Sequence, residues 1–179
     1  MPIANIEKKI TYQFRVESKD IINDMLGIQN IQSKQNREFL YKLMTNINIR
    51  LECYSGIYQL LEYYKNETIK TALVTNGVPE IQRNKLKCLN ISKLFDTIII
   101  AKEYGYQKPD KDPFILALEK TNSDFQETLF IGDHYINDIQ AAKSVGLHTL
   151  WIDHLNVGIR EADYIITDPN KLPEILNKL

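Results

Sequence analysis

Short, largely apolar runs alternate with helical patterns in the later part of the chain, and this alternation restricts the possible folds more than any other feature. The runs at residues 70–75, 96–101 and 128–131 are rich in β-branched and aliphatic residues and predict strands buried on both faces. Further strands are predicted at 148–152 and 164–167, and helices at 57–64, 81–89, 112–119, 136–145 and 173–179. This order predicts an α/β fold, a doubly wound, Rossmann-like parallel sheet with helices on both faces.

The first part of the chain is more polar and largely helical in pattern. Residues 20–26 predict a short amphipathic helix that ends at Gly27, and residues 35–49 carry apolar side chains at the spacing of one helical face. The change near residue 53 predicts two regions, a helical one at 1–53 and an α/β core at 54–179.

Composition excludes several classes of function. The 179 residues are 44% hydrophobic and 25% charged, with a formal net charge of -1, which gives no electrostatic reason to expect nucleic acid or a membrane surface as partner. No apolar run is long enough to span a bilayer, and the N-terminus does not have the pattern of a signal peptide. Cys53 and Cys88 are far apart and predict two reduced thiols. We therefore expect a cytoplasmic protein.

Polar and charged residues follow three of the predicted strands. They are Thr75, Asn76, Gly77, Lys108, Asp133 and Asp138. In an open parallel sheet, ligands bind beyond the carboxyl ends of the strands, so these groups are expected to converge at one edge. Each group alone has a simpler interpretation: a turn for Thr75-Asn76-Gly77, an exposed loop lysine for Lys108, and helix caps for the two acids.

Together, these groups suit a phosphate and a hard cation. A threonine hydroxyl and backbone N–H groups donate to phosphoryl oxygens, and the helix that follows offers its positive N-terminal end. A lysine neutralises charge that builds during phosphoryl transfer. Mg²⁺ takes one or two carboxylates and shares phosphate oxygens. The pattern therefore predicts a site for a small phosphorylated metabolite.

Three segments carry a resemblance to a known family. "ALVTNG", "GYQKPDKDPF" and "LFIGDHYINDIQAAKSVGLHTLWID" resemble the second, third and fourth motifs of the haloacid dehalogenase (HAD) superfamily, in the subgroup with a helical cap. The resemblance implies that residues 54–179 form the HAD-like core and that residues 1–53 are part of the cap. It also implies a hydrolase, most simply a phosphatase.

The resemblance assigns a role to each residue of the predicted site. Thr75, with the neighbouring Asn76 amide and Gly77, would bind the phosphoryl group. Lys108 would be the catalytic lysine that steadies both the nucleophile and the phosphoryl charge. Asp133 would bind Mg²⁺, and Asp138 would be a second ligand or a support for the first.

The first motif of the family is not found. It is an apolar strand that ends in Asp-x-Asp and supplies the nucleophile, whereas the only Asp-x-Asp here, Asp110-Lys111-Asp112, lies inside the lysine loop. Residues 10–16 alternate like a strand, but a first motif there would put Arg15 in the place of the nucleophile and Glu17 in that of the acid/base. Arginine cannot accept a phosphoryl group covalently, so we expect the chain to be inactive as it stands.

The missing motif also has a structural consequence. By resemblance, its strand lies between the strands at 70–75 and 128–131, and leaving that place empty would expose backbone donors and acceptors. We expect residues 10–16, a second copy of the chain or a missing segment to complete the sheet; failing these, the two strands would have to pair with each other.

Three functional hypotheses remain open. The first is a chain derived from a magnesium-dependent small-molecule phosphatase, seen without its first motif. The second is a naturally truncated, non-catalytic relative that acts as a phosphate-binding or regulatory partner. The third, an unrelated nucleotide-binding α/β module, ranks last because neither G-x-G-x-x-G nor G-x-x-x-x-G-K-[ST] occurs.

Overall fold

The computed structural model describes residues 34–46, 51–158 and 161–179. The chain divides into two units, Met1–Ile47 and Asn48–Leu179. In the first unit, helix α1 (Lys34–Asn46) forms where the pattern at 35–49 predicts a helix. The helix predicted at 20–26 and the strand-like residues 10–16 lie outside the described residues.

The second unit alternates strands and helices, as the sequence predicts. Its elements are α2 (Ile57–Asn66), β1 (Ala72–Thr75), α3 (Pro79–Leu89), β2 (Thr97–Ile100), α4 (Asp112–Thr121), β3 (Leu129–Gly132), a π-helix (Tyr135–Gln140), α5 (Ala141–Ser144), β4 (His148–Ile152), β5 (Tyr164–Ile166) and α6 (Leu172–Leu176). No helix in the described ranges is long and apolar enough to cross a bilayer.

Local sequence explains where the helices next to the site begin and end. Both α3 and α4 have a proline in their first turn, where the fixed φ of proline suits a helix and its missing N–H costs nothing. Both end at an asparagine in the left-handed conformation, Asn90 with φ 55° and Asn122 with φ 53°. Asp112 is the first residue of α4, where the predicted helix 112–119 also begins.

The strands form two parallel sheets. β1 pairs with β2, with Ala72 opposite Thr97 and Thr75 opposite Ile100. The other sheet has the order β3-β4-β5, and its register places Leu129 opposite His148. The predicted fold class, parallel and doubly wound α/β, is confirmed.

Side chains of β3 alternate between two layers of helices. Phe130 packs against a cluster from α4 and α5, and its ring centroid lies 4.9 Å from that of Phe114. Its neighbours Leu129 and Ile131 pack instead with residues of α2 and α6. Because successive strand residues face opposite sides, this alternation shows that helices cover both faces of the second sheet.

β1 and β3 are less buried than the strands beside them. The residues of both strands are half-buried, except for the exposed Ala72, whereas Ile99 and Ile100 of β2 and Leu150 of β4 are fully buried. Within the described ranges, β1 pairs only with β2 and β3 only with β4, so each keeps one edge without a strand partner. That another segment completes the sheet stays a prediction.

Candidate functional site

Lys108 joins the ends of the two sheets. It lies in the loop between β2 and α4 and is only 8% exposed. Its Nζ donates a hydrogen bond to Asp138 Oδ1 at 2.5 Å and another to the Val74 carbonyl at 3.1 Å. Val74 belongs to β1, and Asp138 lies in the π-helix after β3, so one ammonium group connects the carboxyl ends of both sheets.

The backbone of Lys108 is held by Asn76. The Asn76 carboxamide donates from Nδ2 to the Lys108 carbonyl at 2.9 Å, and Asn76 Oδ1 accepts from the Lys108 N–H at 2.9 Å. Both backbone groups of Lys108 are therefore fixed by one side chain at the end of β1. The peptide bond between Lys108 and Pro109 is cis.

The turn after β1 has a second set of hydrogen bonds. The Asn76 carbonyl accepts from Thr75 Oγ1 at 3.0 Å and from Gln82 Nε2 at 2.7 Å. Gly77 has φ +112°, and a Cβ there would lie 2.6 Å from Gln82 Nε2. The backbone conformation at this position favours glycine, and an added Cβ would also displace the end of the Gln82 side chain.

Asp138 is enclosed on several sides. Oδ1 accepts from Lys108, and Oδ2 accepts from the His134 N–H at 3.1 Å. A Cβ on Gly132 would lie 2.4 Å from the Cβ of Asp138, so only glycine leaves room for this side chain. A buried carboxylate needs a charged partner and further hydrogen bonds to offset its lost hydration, and this arrangement supplies both.

The helix predicted at 136–145 begins with a π-helical segment, Tyr135–Gln140, and continues as α5. His134 caps it, since its Nδ1 accepts from the Asn137 N–H at 3.0 Å. π-Helical turns are rare and often occur at functional sites. Apolar spacing predicts a helix here but does not distinguish its wider first turns, so the sequence indicates neither the π-helix nor the capping role of His134.

The two predicted metal ligands have different environments. Asp138 is buried, whereas Asp133 is exposed and its carboxylate makes no hydrogen bond or ion pair within the described part of the chain. The backbone of Asp133 is fixed, because its carbonyl accepts from Trp151 Nε1 at 3.1 Å. The carboxylate of Asp133 is therefore available to a ligand, and that of Asp138 is engaged.

The donor set fits Mg²⁺ only in part. Among residues 34–46, 51–158 and 161–179, no three His, Cys, Asp or Glu side chains are placed to hold a metal ion. Mg²⁺ commonly takes one or two carboxylates and fills its other positions with water and phosphate. Asp133 is suited to that role, while a cation at Asp138 would compete with the Lys108 ammonium.

The structure brings most of the predicted site residues together. Hydrogen bonds connect the Thr75-Asn76-Gly77 turn to Lys108 and Lys108 to Asp138. Asp133 follows β3 directly in the sequence, and among the residues that the structure describes its carboxylate has no hydrogen bond to this network. The arrangement can offer a hydroxyl, the N-terminus of α3 and a fixed cation to an anion. Gln82, which the motifs do not include, is an additional member.

A family model described as haloacid dehalogenase-like hydrolase matches residues 5–152. The chain belongs to this family. The glyceraldehyde 3-phosphate phosphatase of Pyrococcus furiosus is 32% identical over 129 residues, which cover 69% of this chain and 54% of that protein. Among the first curated relatives, the matched segments cover between 36% and 60% of the relative's length.

Solved structures show the same fold. A HAD phosphatase from Thermococcus onnurineus superposes with a TM-score of 0.67 and 27% identity, covering 97% of this chain and 78% of that one. The HAD-hydrolase YfnB from Bacillus subtilis, in a crystal structure bound to magnesium, gives a TM-score of 0.73 at 20% identity and covers 97% and 81% of the two chains. The predicted family is thus confirmed, and the roles of individual residues stay predictions.

Proposed function

We propose that this chain binds the phosphoryl group of a small phosphorylated molecule at the carboxyl ends of β1 and β3, and that it does not hydrolyse that molecule by itself. The observation that carries the proposal is the buried Lys108 ammonium between the Val74 carbonyl and Asp138. The similarity to a glyceraldehyde 3-phosphate phosphatase and to a HAD phosphatase supports the choice of phosphate as the recognised group.

Each part of the site has a chemical role in this proposal. The Thr75 hydroxyl and the backbone N–H groups at the start of α3 donate to phosphoryl oxygens, and the α3 dipole favours the negative charge. Lys108 supplies the fixed positive charge. When Mg²⁺ is present, Asp133 would hold it, with Asp138 as a second ligand or a support, and the ion would neutralise part of the phosphate charge.

Turnover is not expected, because phosphoryl transfer through a covalent intermediate needs a free nucleophile. Asp138 is committed to Lys108 and to the His134 N–H. The sequence has no Asp-x-Asp at the end of an apolar run. We therefore infer descent from a magnesium-dependent phosphatase without retained activity.

Two further proposals accompany this function. Residues 1–53 are assigned to a partial helical cap and residues 54–179 to the HAD-like core. The edges of β1 and β3 that have no strand partner within the described ranges are assigned to an additional strand, either from a second copy or from another segment.

Calorimetric titration with inorganic phosphate and with p-nitrophenyl phosphate, each with and without Mg²⁺, tests binding. We expect saturable binding to the wild type, weakened roughly ten- to hundredfold in Thr75→Val by loss of a hydrogen bond to a charged ligand. Thr167→Val, an exposed threonine after β5, is the matched control and should bind normally. Absence of binding to both anions would refute the proposal.

Hydrolysis of p-nitrophenyl phosphate tests the second part of the proposal. We expect no release of p-nitrophenol above a Lys108→Met control. Turnover that depends on Lys108 would show that the chain is an enzyme as it stands. The regulatory alternative predicts that adding an apolar peptide that ends in Asp-x-Asp-Gly-Thr restores no activity, whereas simple loss of the first motif predicts that it does.

A further inference from the structure

Gln82 reaches the predicted phosphate site, although no motif in the sequence includes it. It lies near the start of α3, and its Nε2 donates to the Asn76 carbonyl at 2.7 Å. The missing Cβ of Gly77 makes room for this approach, since a Cβ would lie 2.6 Å from Nε2. The glutamine amide therefore occupies a space that the turn leaves open.

The Asn76 carbonyl has a second donor, the hydroxyl of Thr75 at 3.0 Å. A carbonyl oxygen has two lone pairs, so both donors can be accepted together. For Thr75 to donate to a bound anion, its hydroxyl must rotate away from Asn76. The carbonyl then keeps its bond to Gln82, and no half-buried acceptor loses all its partners when the ligand binds.

We propose that Gln82 is a positioning residue for a bound oxyanion. Its amide keeps donating to the Asn76 carbonyl when the Thr75 hydroxyl turns to the oxyanion, and this frees the hydroxyl for the ligand. The inference rests on the proposed function, because it assumes an anion at the end of β1. Gln82 itself does not touch the ligand. It acts through Asn76, whose carboxamide also fixes the Lys108 backbone.

The proposal is distinguished from a structural role by thermodynamic coupling to Thr75. Without Gln82, the Thr75 hydroxyl would leave the Asn76 carbonyl unsatisfied if it turned to the anion, so part of the binding energy is lost. Gln82→Met should weaken sulfate and phosphate binding about tenfold in the wild type. In a Thr75→Val background, which has no hydroxyl to release, the same substitution should have little effect.

The experiment is a double-mutant cycle measured by calorimetry on the full chain, with sulfate and inorganic phosphate as probes. Gln126→Met, an exposed glutamine before β3, is the matched control and should bind as the wild type does. Equal weakening by Gln82→Met in both backgrounds, or no weakening at all, would overturn the role of Gln82 while leaving the proposed function intact. A wild type that binds neither anion would remove the proposed function, and this inference with it.

Gln82→Glu gives a second test that does not depend on Gln82→Met folding well. A carboxylate cannot donate to the Asn76 carbonyl, so sulfate binding should be weak at neutral pH. It should recover as the pH falls through the range where a glutamate takes up a proton, about pH 5 to 4, because the protonated carboxyl is a donor again. Sulfate remains a dianion over this range. A sulfate affinity with the same pH dependence in Gln82→Glu and the wild type would contradict the proposal.

Discussion

The two sheets are built alike at their amino ends and differently at their carboxyl ends. At the amino end of the first sheet, Asp96 accepts a hydrogen bond from the Thr71 N–H at 2.8 Å. In the second sheet, Asp163, just before β5, accepts from the Thr149 N–H at 2.7 Å and its hydroxyl at 2.9 Å. An acid beside a strand thus satisfies the backbone of a neighbouring threonine in both sheets.

At the carboxyl ends, the groups differ in how firmly they are held. The turn after β1 presents the half-buried Thr75 hydroxyl, which donates to the carbonyl of the next residue, Asn76. The turn after β3 presents Asp138, which is enclosed by Lys108, His134 and Gly132. The Asp138 side therefore holds Lys108 in position. Under the proposed function, the Thr75 hydroxyl on the β1 side would be the group that donates to the ligand.

The largest effect is expected for Lys108→Met. This change leaves the carboxylate of Asp138 buried without its cation, which costs about 3–5 kcal/mol in the free energy of unfolding. The measurement is urea denaturation at neutral pH. The double variant with Asp138→Asn should regain much of that loss, because it removes the buried charge as well. A single-variant loss below about 1 kcal/mol, within the range of a surface pair, would show that the two groups are not coupled.

The next effect concerns the space around Asp138. Gly132→Ala places a Cβ 2.4 Å from the Cβ of Asp138, so the π-helix must shift, and we expect a loss of about 3 kcal/mol in unfolding free energy. Gly146→Ala is the control, because Gly146 has φ +90° but nothing within 4 Å of the added Cβ. The free energy of unfolding of Gly146→Ala should fall by only about 1 kcal/mol, the cost of a side chain on a left-handed backbone. Equal losses in the two variants would argue against close packing at Gly132.

The sequence predicts the strands within a residue or two, because apolar runs buried on both faces leave little choice of position. It also predicts that Thr75, Lys108 and Asp138 lie at the same edge, since parallel strands share a carboxyl end. It does not predict which of these groups bond to one another. Lys108 and Asp138 are 30 residues apart, and their contact depends on how two sheets are placed around one loop.

The sequence does not indicate the role of Gln82, for a related reason. A glutamine in the first turns of a helix is ordinarily an exposed polar residue, and only the turn geometry at Gly77 brings its amide to the Asn76 carbonyl. The sequence does not indicate the π-helix either, because a helical spacing of apolar residues fits both helix types. In each case the sequence indicates the element, and tertiary packing sets the contact.

A smaller effect is expected at the β1 turn. Gly77→Ala puts a side chain on a backbone with φ +112° and against Gln82. We expect the free energy of unfolding, measured by urea denaturation, to fall by about 2 kcal/mol. Combining it with Gln82→Ala should recover the part due to the close contact and leave the part due to the backbone. No recovery in the double variant would mean that backbone strain alone accounts for the loss.

The smallest effect tests the similarity of the amino ends. The Thr71 N–H and the Lys70 ammonium lower the pKa of Asp96. Burial would raise the pKa of Asp163, but the hydrogen bonds from Thr149 outweigh it and the pKa is lowered. Both carboxylates therefore stabilise the fold above their unfolded pKa of about 3.9, and this contribution is lost as the pH falls through their lower folded pKa.

Unfolding free energies of Asp96→Asn and Asp163→Asn, measured between pH 7 and pH 3, provide the test. At neutral pH, the free energy of unfolding of each variant should be lower than that of the wild type by less than about 1 kcal/mol. Below pH ~4, it should depend less steeply on pH than in the wild type. Both carboxylates are exposed, but the loss should be smaller for Asp96, whose partner Thr71 is half-buried, than for Asp163, whose partner Thr149 is fully buried. The reverse order would mean that the burial of the threonine partner does not set the strength of these bonds.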